Sequence, residues 1–343
     1  MLTIRQERFS LIKIHAGGWV EAVIFAANGK YLVSGGVGGI RVWRVEFKDG
    51  KQMATLSMRA DSCRVLCLAV SNDGKWIAAG TLWGEVIVWD AKTYEKVFSH
   101  RDDIKDINGV DFSPDSTQLV SASDNKTASI WDIAARKRVQ TLGHKKLVTA
   151  AKYSPQGDRI ATATDDCVRV WDSNDGYMLA GIPVIVNPWY NTSLLWFNNH
   201  LFVVSDTEIK QFEASTGSAV SEWPVPNSGG YTTIALPKHG KFIAYSTQRT
   251  ITFWDTVTHT QLGLIRHFER IRSFALSPDC RFLAIGGMDG KITINSLSYI
   301  AVRILSLDCG PGEQLSYSDH SSIGFNPIIS SASHIPRTGY SDQ

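Results

Sequence analysis

His15, His100, His144 and His267 are the side chains of this 343-residue chain best suited to acid–base work or metal ligation. Each stands just before an alternating apolar segment, one to a unit of sequence. They are therefore expected to be spread apart rather than gathered on one metal or nucleophile, and a structural role is the expected one. The acidic run Asp102, Asp103 and Asp106 has the oxygen ligands a hard cation needs, but Arg101 and Lys105 interrupt it, as in a solvated, self-neutralised loop. Gly35, Gly36, Gly38 and Gly39 lie between two strand-like segments with no helix after them, so they read as a turn and not as a phosphate cradle. The five cysteines (Cys63, Cys67, Cys167, Cys280, Cys309) form no CxxC pair and no metal-ligand spacing, which suits free, reduced thiols. There is no GxxxxGK[ST], HExxH, GxSxG or EF-hand loop. The expectation is no catalytic residue, no cofactor, no metal and no enzyme.

The elements that hold these residues recur. IRVWRV, VIVWDA, ASIWDI, VRVWDS, IKQFEA, ITFWDT and ITINSL carry anchors at Trp43, Trp89, Trp131, Trp171, Phe212, Trp254 and Asn295, spaced by 46, 42, 40, 41, 42 and 41 residues. A period of about 40–45 residues is that of a four-stranded propeller blade. Within each unit an alternating strand leads to a turn such as SNDGK, SPDST or SPDCR, where Asn, Asp, Gly and Pro supply turn chemistry. A small, nearly continuous apolar strand follows (YLVSGG, WIAAG, QLVSAS, RIATAT, FLAIGG), then the anchor strand and a shorter fourth one. Continuous apolar character is what burial on both faces demands. The fold class expected is all-β, a seven-bladed β-propeller of four-stranded antiparallel blades.

On these segments the chain resembles the WD40-repeat β-propeller family, with residues 1–307 as the propeller and the repeats beginning near residue 9. The resemblance implies a hydrogen-bond network joining a His, a strand Ser or Thr, a turn Asp and the Trp. The fourth repeat supplies the full set as His144, Thr162 or Thr164, Asp165 and Trp171. The third offers His100, Ser123 and Trp131, with Asn125 in place of Asp. Val37, Trp83 and Gln248 stand where other turns would have Asp, and repeats five and seven lack the Trp. Ring closure in the family pairs the N-terminal strand with the last three. Residues 9–15, FSLIKIH, are expected to do this in preference to the competitor at 299–307, YIAVRILSL. Residues 308–343, rich in Ser, Gly and Pro without periodicity, read as a flexible tail.

Charge and composition narrow the partners. With 35 basic and 33 acidic residues the net charge is +2, lacking the basic excess of a nucleic-acid binder. No run approaches a membrane span. Arg5, Glu7 and Arg8 break what a signal peptide would keep apolar, so a cytoplasmic or nuclear protein is expected and the sequons at Asn125 and Asn191 read as chance matches.

The resemblance then implies a non-enzymatic scaffold or adaptor, probed through loops on one rim. Those loops carry Trp19, Arg59, Arg64, Trp83, Arg101, Lys145, Lys146, Trp189, Tyr190, Arg249, Arg270 and Arg272. Trp, Tyr and Arg dominate binding hot spots, so Trp19, Arg64, Trp83, Trp189, Tyr190, Arg249 and Arg272 are the candidate contacts for a protein or peptide ligand, an acidic one fitting best. The chain itself is expected to be a monomer within a larger assembly. Two other readings follow from local motifs. Trp89-Asp90-Ala91-Lys92 is similar to the WDx[RK] ending of cullin-RING ubiquitin-ligase substrate receptors, and Phe268-Glu269-Arg270 is a poor approach to the Phe-Arg-Arg-Gly of phosphoinositide-binding propellers. A G-protein β subunit has similar length, but that family carries a long helix before blade one, whereas the first strand here is expected by about residue 9.

Overall fold

The computed structural model describes residues 3–5, 10–48, 51–60, 64–101, 105–183, 193–204, 208–225, 232–237 and 239–297. The expectations at Trp189 and Tyr190, at 299–307 and at 308–343 fall outside them. All 29 elements among the described residues are strands. Two precede the first blade, β1 (Thr3–Arg5) and β2 (Ser10–His15). Blade one is β3 (Val20–Phe25), β4 (Tyr31–Gly36), β5 (Gly39–Lys48) and β6 (Lys51–Ala60). Blade two is β7 (Val65–Val70), β8 (Trp76–Thr81), β9 (Glu85–Asp90) and β10 (Lys96–Arg101). Blade three is β11 (Ile107–Phe112), β12 (Gln118–Ser123), β13 (Thr127–Asp132) and β14 (Lys137–Gly143). Blade four is β15 (Ala150–Tyr153), β16 (Arg159–Ala163), β17 (Cys167–Asp172) and β18 (Met178–Pro183). Blade five is β19 (Ser193–Phe197), β20 (His200–Val204), β21 (Glu208–Glu213) and β22 (Ala219–Pro224). Blade six is β23 (Ile234–Ala235), β24 (Phe242–Ser246), β25 (Thr250–Asp255) and β26 (Gln261–Arg266). Blade seven takes β27 (Ile271–Leu276), β28 (Phe282–Gly287) and β29 (Lys291–Ser296) from the end of the series.

The last blade is completed by β2, which runs antiparallel to β29 from Ser10↔Asn295 to His15↔Lys291. β1 makes a parallel pairing with β26, Thr3↔Leu264 to Arg5↔Arg266, and gives blade six a fifth strand. That second contact of the N-terminal segment has no counterpart in the repeat pattern.

Burial explains the ring. The second strands are closed on both faces, β8 and β12 reading half-buried then buried throughout, because each blade is sandwiched between two others. Among the described residues seven apolar clusters form, each shared by two neighbouring blades. One of them joins Ile292 and Ile294 of blade seven to Val20, Leu32 and Trp43 of blade one, so the seam is packed like any other interface. The lower turns repeat one device: Ser71, Ser113 and Ser277 each donate a hydroxyl to an Asp two residues on, and accept the N–H five residues on. Every fourth strand carries one extra residue opposite the anchor, a β-bulge. In blades three, four and five it is Val139, Leu179 and Val220.

Candidate functional site

The seven innermost strands wall a channel of about 870 Å³. Its lining mixes apolar strand residues with six charges: Glu21, Arg64, Asp106, Asp124, Lys152 and Arg272. Lys152 Nζ is held by Asp111 Oδ1 at 2.6 Å. Burial, and then the nearby Asp124 charge, raise the Asp106 carboxyl above the ordinary carboxylate range, with Arg64 and Lys105 opposing. Asn108 Nδ2 donates to Asp124 Oδ1 (2.6 Å) and to the Val148 carbonyl (3.1 Å), fixing that wall.

Three of the sequence-predicted residues meet at one sector of the mouth. Glu21, second residue of β3, accepts from Arg64 Nε at 3.0 Å and lies 3.2 Å from Arg272 Nε, so blades seven, one and two converge on a single carboxylate. The Trp19 ring lies beside both guanidinium carbons, at 5.5 and 5.9 Å from its centroid. Expectation and structure part at Arg272: its side chain is only 6% exposed and Glu21 only 7%, against 29% for Arg64. Arg272 is thus a buried brace rather than a surface contact, since its charge is satisfied inward. Trp19, at 43% exposed, presents one edge to solvent.

The glycine cluster positions that ring. Val37 N–H donates to the Trp19 carbonyl at 3.0 Å. A Cβ on Gly36 would stand 1.9 Å from that same oxygen, and the next two glycines, Gly38 and Gly39, have φ of 98° and 87°. The glycines let the Trp19 loop lie directly on the β4–β5 turn. Sequence reasoning found the turn but not its purpose.

Trp83 is 53% exposed, as its place in a tight turn implies, and it follows Leu82, which lines the channel and donates its N–H to the Arg64 carbonyl at 2.9 Å. Arg249 is exposed on the β24–β25 turn of blade six, and none of the described contacts joins it to this cluster. Lys146 pairs with Asp165 (3.1 Å) and Asp166 (3.7 Å).

That pairing corrects the expected network. His144 Nδ1–H faces the Leu142 carbonyl at 3.1 Å, its Nε2 lies 2.8 Å from Thr162 Oγ1, and Trp171 Nε1–H donates to the same hydroxyl at 2.8 Å. Thr162 is the strand member. Thr164 instead donates to Asp166 Oδ1 at 2.7 Å, and Asp165 is drawn to Lys146, only two residues beyond the histidine. In blade three the acceptor for Trp131 Nε1–H is Ser121 (2.9 Å), not Ser123, which accepts the Asn125 N–H in the turn. Ser34 serves Trp43 in the same way at 2.8 Å. Ser34, Ser121 and Thr162 are all fourth residues of their strands, cross-strand partners of the residue two before the Trp. That offset is the signal a closer reading of the sequence could have used. His267 is buried with Nε2 3.3 Å from Thr293 Oγ1, whereas His15 and His100 are exposed, the latter with its ring 4.8 Å from that of Trp131.

A pH dependence follows. Burial, then the Arg169 charge, lower His144 from 6.5 to about 4, and burial lowers His267 as well. A depressed folded-state pKa means that the unfolded chain binds the proton first. The stabilisation is full above 6.5 and is lost as pH falls toward 4. The slope for one histidine is at most about 1.4 kcal/mol per pH unit. Melting temperature should fall across that window, and His144→Gln should flatten the fall. A stability independent of pH there would refute the assignment.

Asp90 of the Trp-Asp-Ala-Lys ending accepts the Lys92 and Thr93 amides at 2.8 and 2.7 Å. Asp132, Asp172 and Asp255 cap the corresponding turns of other blades, so a shared structural duty accounts for it. Cys67 is pushed up to about 12 by burial, its Sγ 3.3 Å from the Ile107 carbonyl, and stays a thiol. Among the described residues no group of His, Cys, Asp and Glu could hold a metal ion, and no helix is long and apolar enough to cross a membrane.

Comparison with known proteins places these features. Residues 50–90, 92–132, 136–172 and 259–294 match the family described as WD domain, G-beta repeat. The transcriptional corepressor LEUNIG_HOMOLOG of Arabidopsis thaliana is 23% identical over 69% of this chain and 36% of its own length. WD repeat-containing protein 1 of Xenopus tropicalis is 43% identical over 28% of this chain and 16% of its own. The guanine nucleotide-binding protein subunit beta of Schizosaccharomyces pombe is 24% identical over 67% and 90%. The chain therefore spans well under half of the first two.

Proposed function

The chain belongs to the WD40-repeat β-propeller family, and on that premise we propose that it is a non-enzymatic scaffold whose channel mouth, at the seam of blades seven, one and two, receives a protein or peptide partner. The observation that carries this is the pair of solvent-facing indoles, Trp19 and Trp83, held on a rigid ring around Arg64. Indole and guanidinium groups give most binding energy per residue at interfaces. Arg64 is the partly exposed cation of this cluster, and an acidic group on the ligand can meet it there.

Because Trp83 is exposed, Trp83→Ala should change stability by no more than about 0.5 kcal/mol. The same substitution should remove partners recovered quantitatively by affinity purification from the native source, relative to the parent protein. A melting-temperature loss like that of a core deletion would show that the ring is structural. Turnover of a substrate by the purified protein alone would sink the scaffold reading.

A further inference from the structure

The outer wall of blades three to five carries a second feature, independent of the mouth. The bulge residues Val139, Leu179 and Val220 are all exposed, and Tyr177 and Met178 beside them are 73% and 55% exposed. Their equivalents Val97 and Leu262, in blades two and six, pack against the core instead. Neighbouring blades bring these residues near one another, because in blades four and five the turn before the fourth strand lies on the fourth strand of the blade before. A Cβ on Gly176 would run into Gln140 of β14 and meet Leu142, and one on Gly217 would stand 3.4 Å from Ala180 and Ile182 of β18. An apolar band of this kind marks an interaction site. At its blade-three end stand the exposed Arg136, Lys137 and Arg138.

The fold itself shows what such an edge accepts. On blade six, β1 pairs with the outer strand β26, whose Gly263, Leu264 and Ile265 are buried. On β14 only Leu142 is buried, and among the described residues no strand pairs with its outer edge. We propose that the wall of blades three to five binds an acidic protein segment in extended conformation, which adds to β14 as a fifth strand. Its carboxylates meet Arg136, Lys137 and Arg138, and its apolar side chains cover Val139, Tyr177 and Leu179. The basic residues on this edge repel a second copy of the same strand and attract an acidic one, so they select the partner as well as guarding the edge. Exposed Asp175 and Glu222 interrupt the band, which a protein segment can answer with its own cations and an anionic bilayer cannot.

The test uses the whole protein and phage-displayed random dodecapeptides, counter-selected on a Lys137→Glu/Arg138→Glu variant with an unchanged circular dichroism spectrum. The expected winners alternate acidic and apolar residues and slow amide exchange along β14. They should lose about tenfold or more in affinity to the charge-reversed variant, and weaken with salt. A second variant, Leu179→Asp, should weaken them too. Winners without acidic residues, equal binding to both proteins, protection at the channel mouth instead, or no enrichment would each overturn the proposal. So would co-sedimentation with phosphatidylserine vesicles that only the charge reversal abolishes, which would assign the wall to a bilayer.

Discussion

Replacing Glu21 by alanine should lower unfolding free energy by about 3–5 kcal/mol, the loss expected when a buried ion pair loses one partner and leaves the other charge inside. Arg272 has almost no access to water, and it reaches Glu21 across the seam between the last blade and the first. Without the carboxylate two guanidiniums face each other over Trp19. Glu21→Gln should fall between parent and alanine, since the amide keeps the shape and one acceptor but no charge. Replacing all three members, as Glu21→Leu/Arg64→Met/Arg272→Leu, should recover most of the loss, because apolar residues of similar volume carry no desolvation cost. Chemical denaturation reads all of these. An alanine variant within about 1 kcal/mol of the parent would mean that water reaches Arg272 after all.

Thr162→Val is the second large effect, expected at about 2–5 kcal/mol. The two residues are nearly isosteric, so almost the whole loss comes from the hydroxyl. It serves both Trp171 Nε1–H and His144 Nε2, and each buried polar group left without a partner costs about 1–3 kcal/mol. Ser121→Ala strands only the Trp131 donor and should cost about half as much. Thr164→Val leaves the Trp171 bond in place and should cost less than Thr162→Val. If Thr164→Val proved the more damaging, the histidine chain would run through the wrong residue.

The blade count was legible because the anchor position is forced: Trp43, Trp89, Trp131 and Trp171 fill the same buried site, and even Phe212 and Asn295 keep the spacing. The tight turn at Trp83 argued for an exposed indole without deciding it, because an aromatic ring can also fold under its own loop; the structure leaves it exposed. The burial of Arg272 was not legible. Val20-Glu21 and Ile271-Arg272 occupy the same place in their repeats with opposite charge, but only ring closure brings residues 251 apart in sequence into contact. Asp165 misled for a local reason: a turn Asp reads as the histidine's partner, whereas Lys146 takes it at 3.1 Å. The choice of Thr162 over Thr164 turned on strand register, which the repeat pattern alone leaves open.

The pairing of β2 with β29 also sets a clock. On a ribosome the sealing strand emerges first and its partner last, after nearly all of the ring has been made. At 5–20 residues per second that is a wait of about 15–55 s. Throughout it the edge of β2 that β29 will occupy has no native partner, and the cluster around Ile12 and Ile14 lacks Ile292 and Ile294. A linear array of repeats can ratify each unit as it appears. This ring cannot, so a nascent chain stalled before Ile292 should be a client of chaperones rather than a shorter propeller.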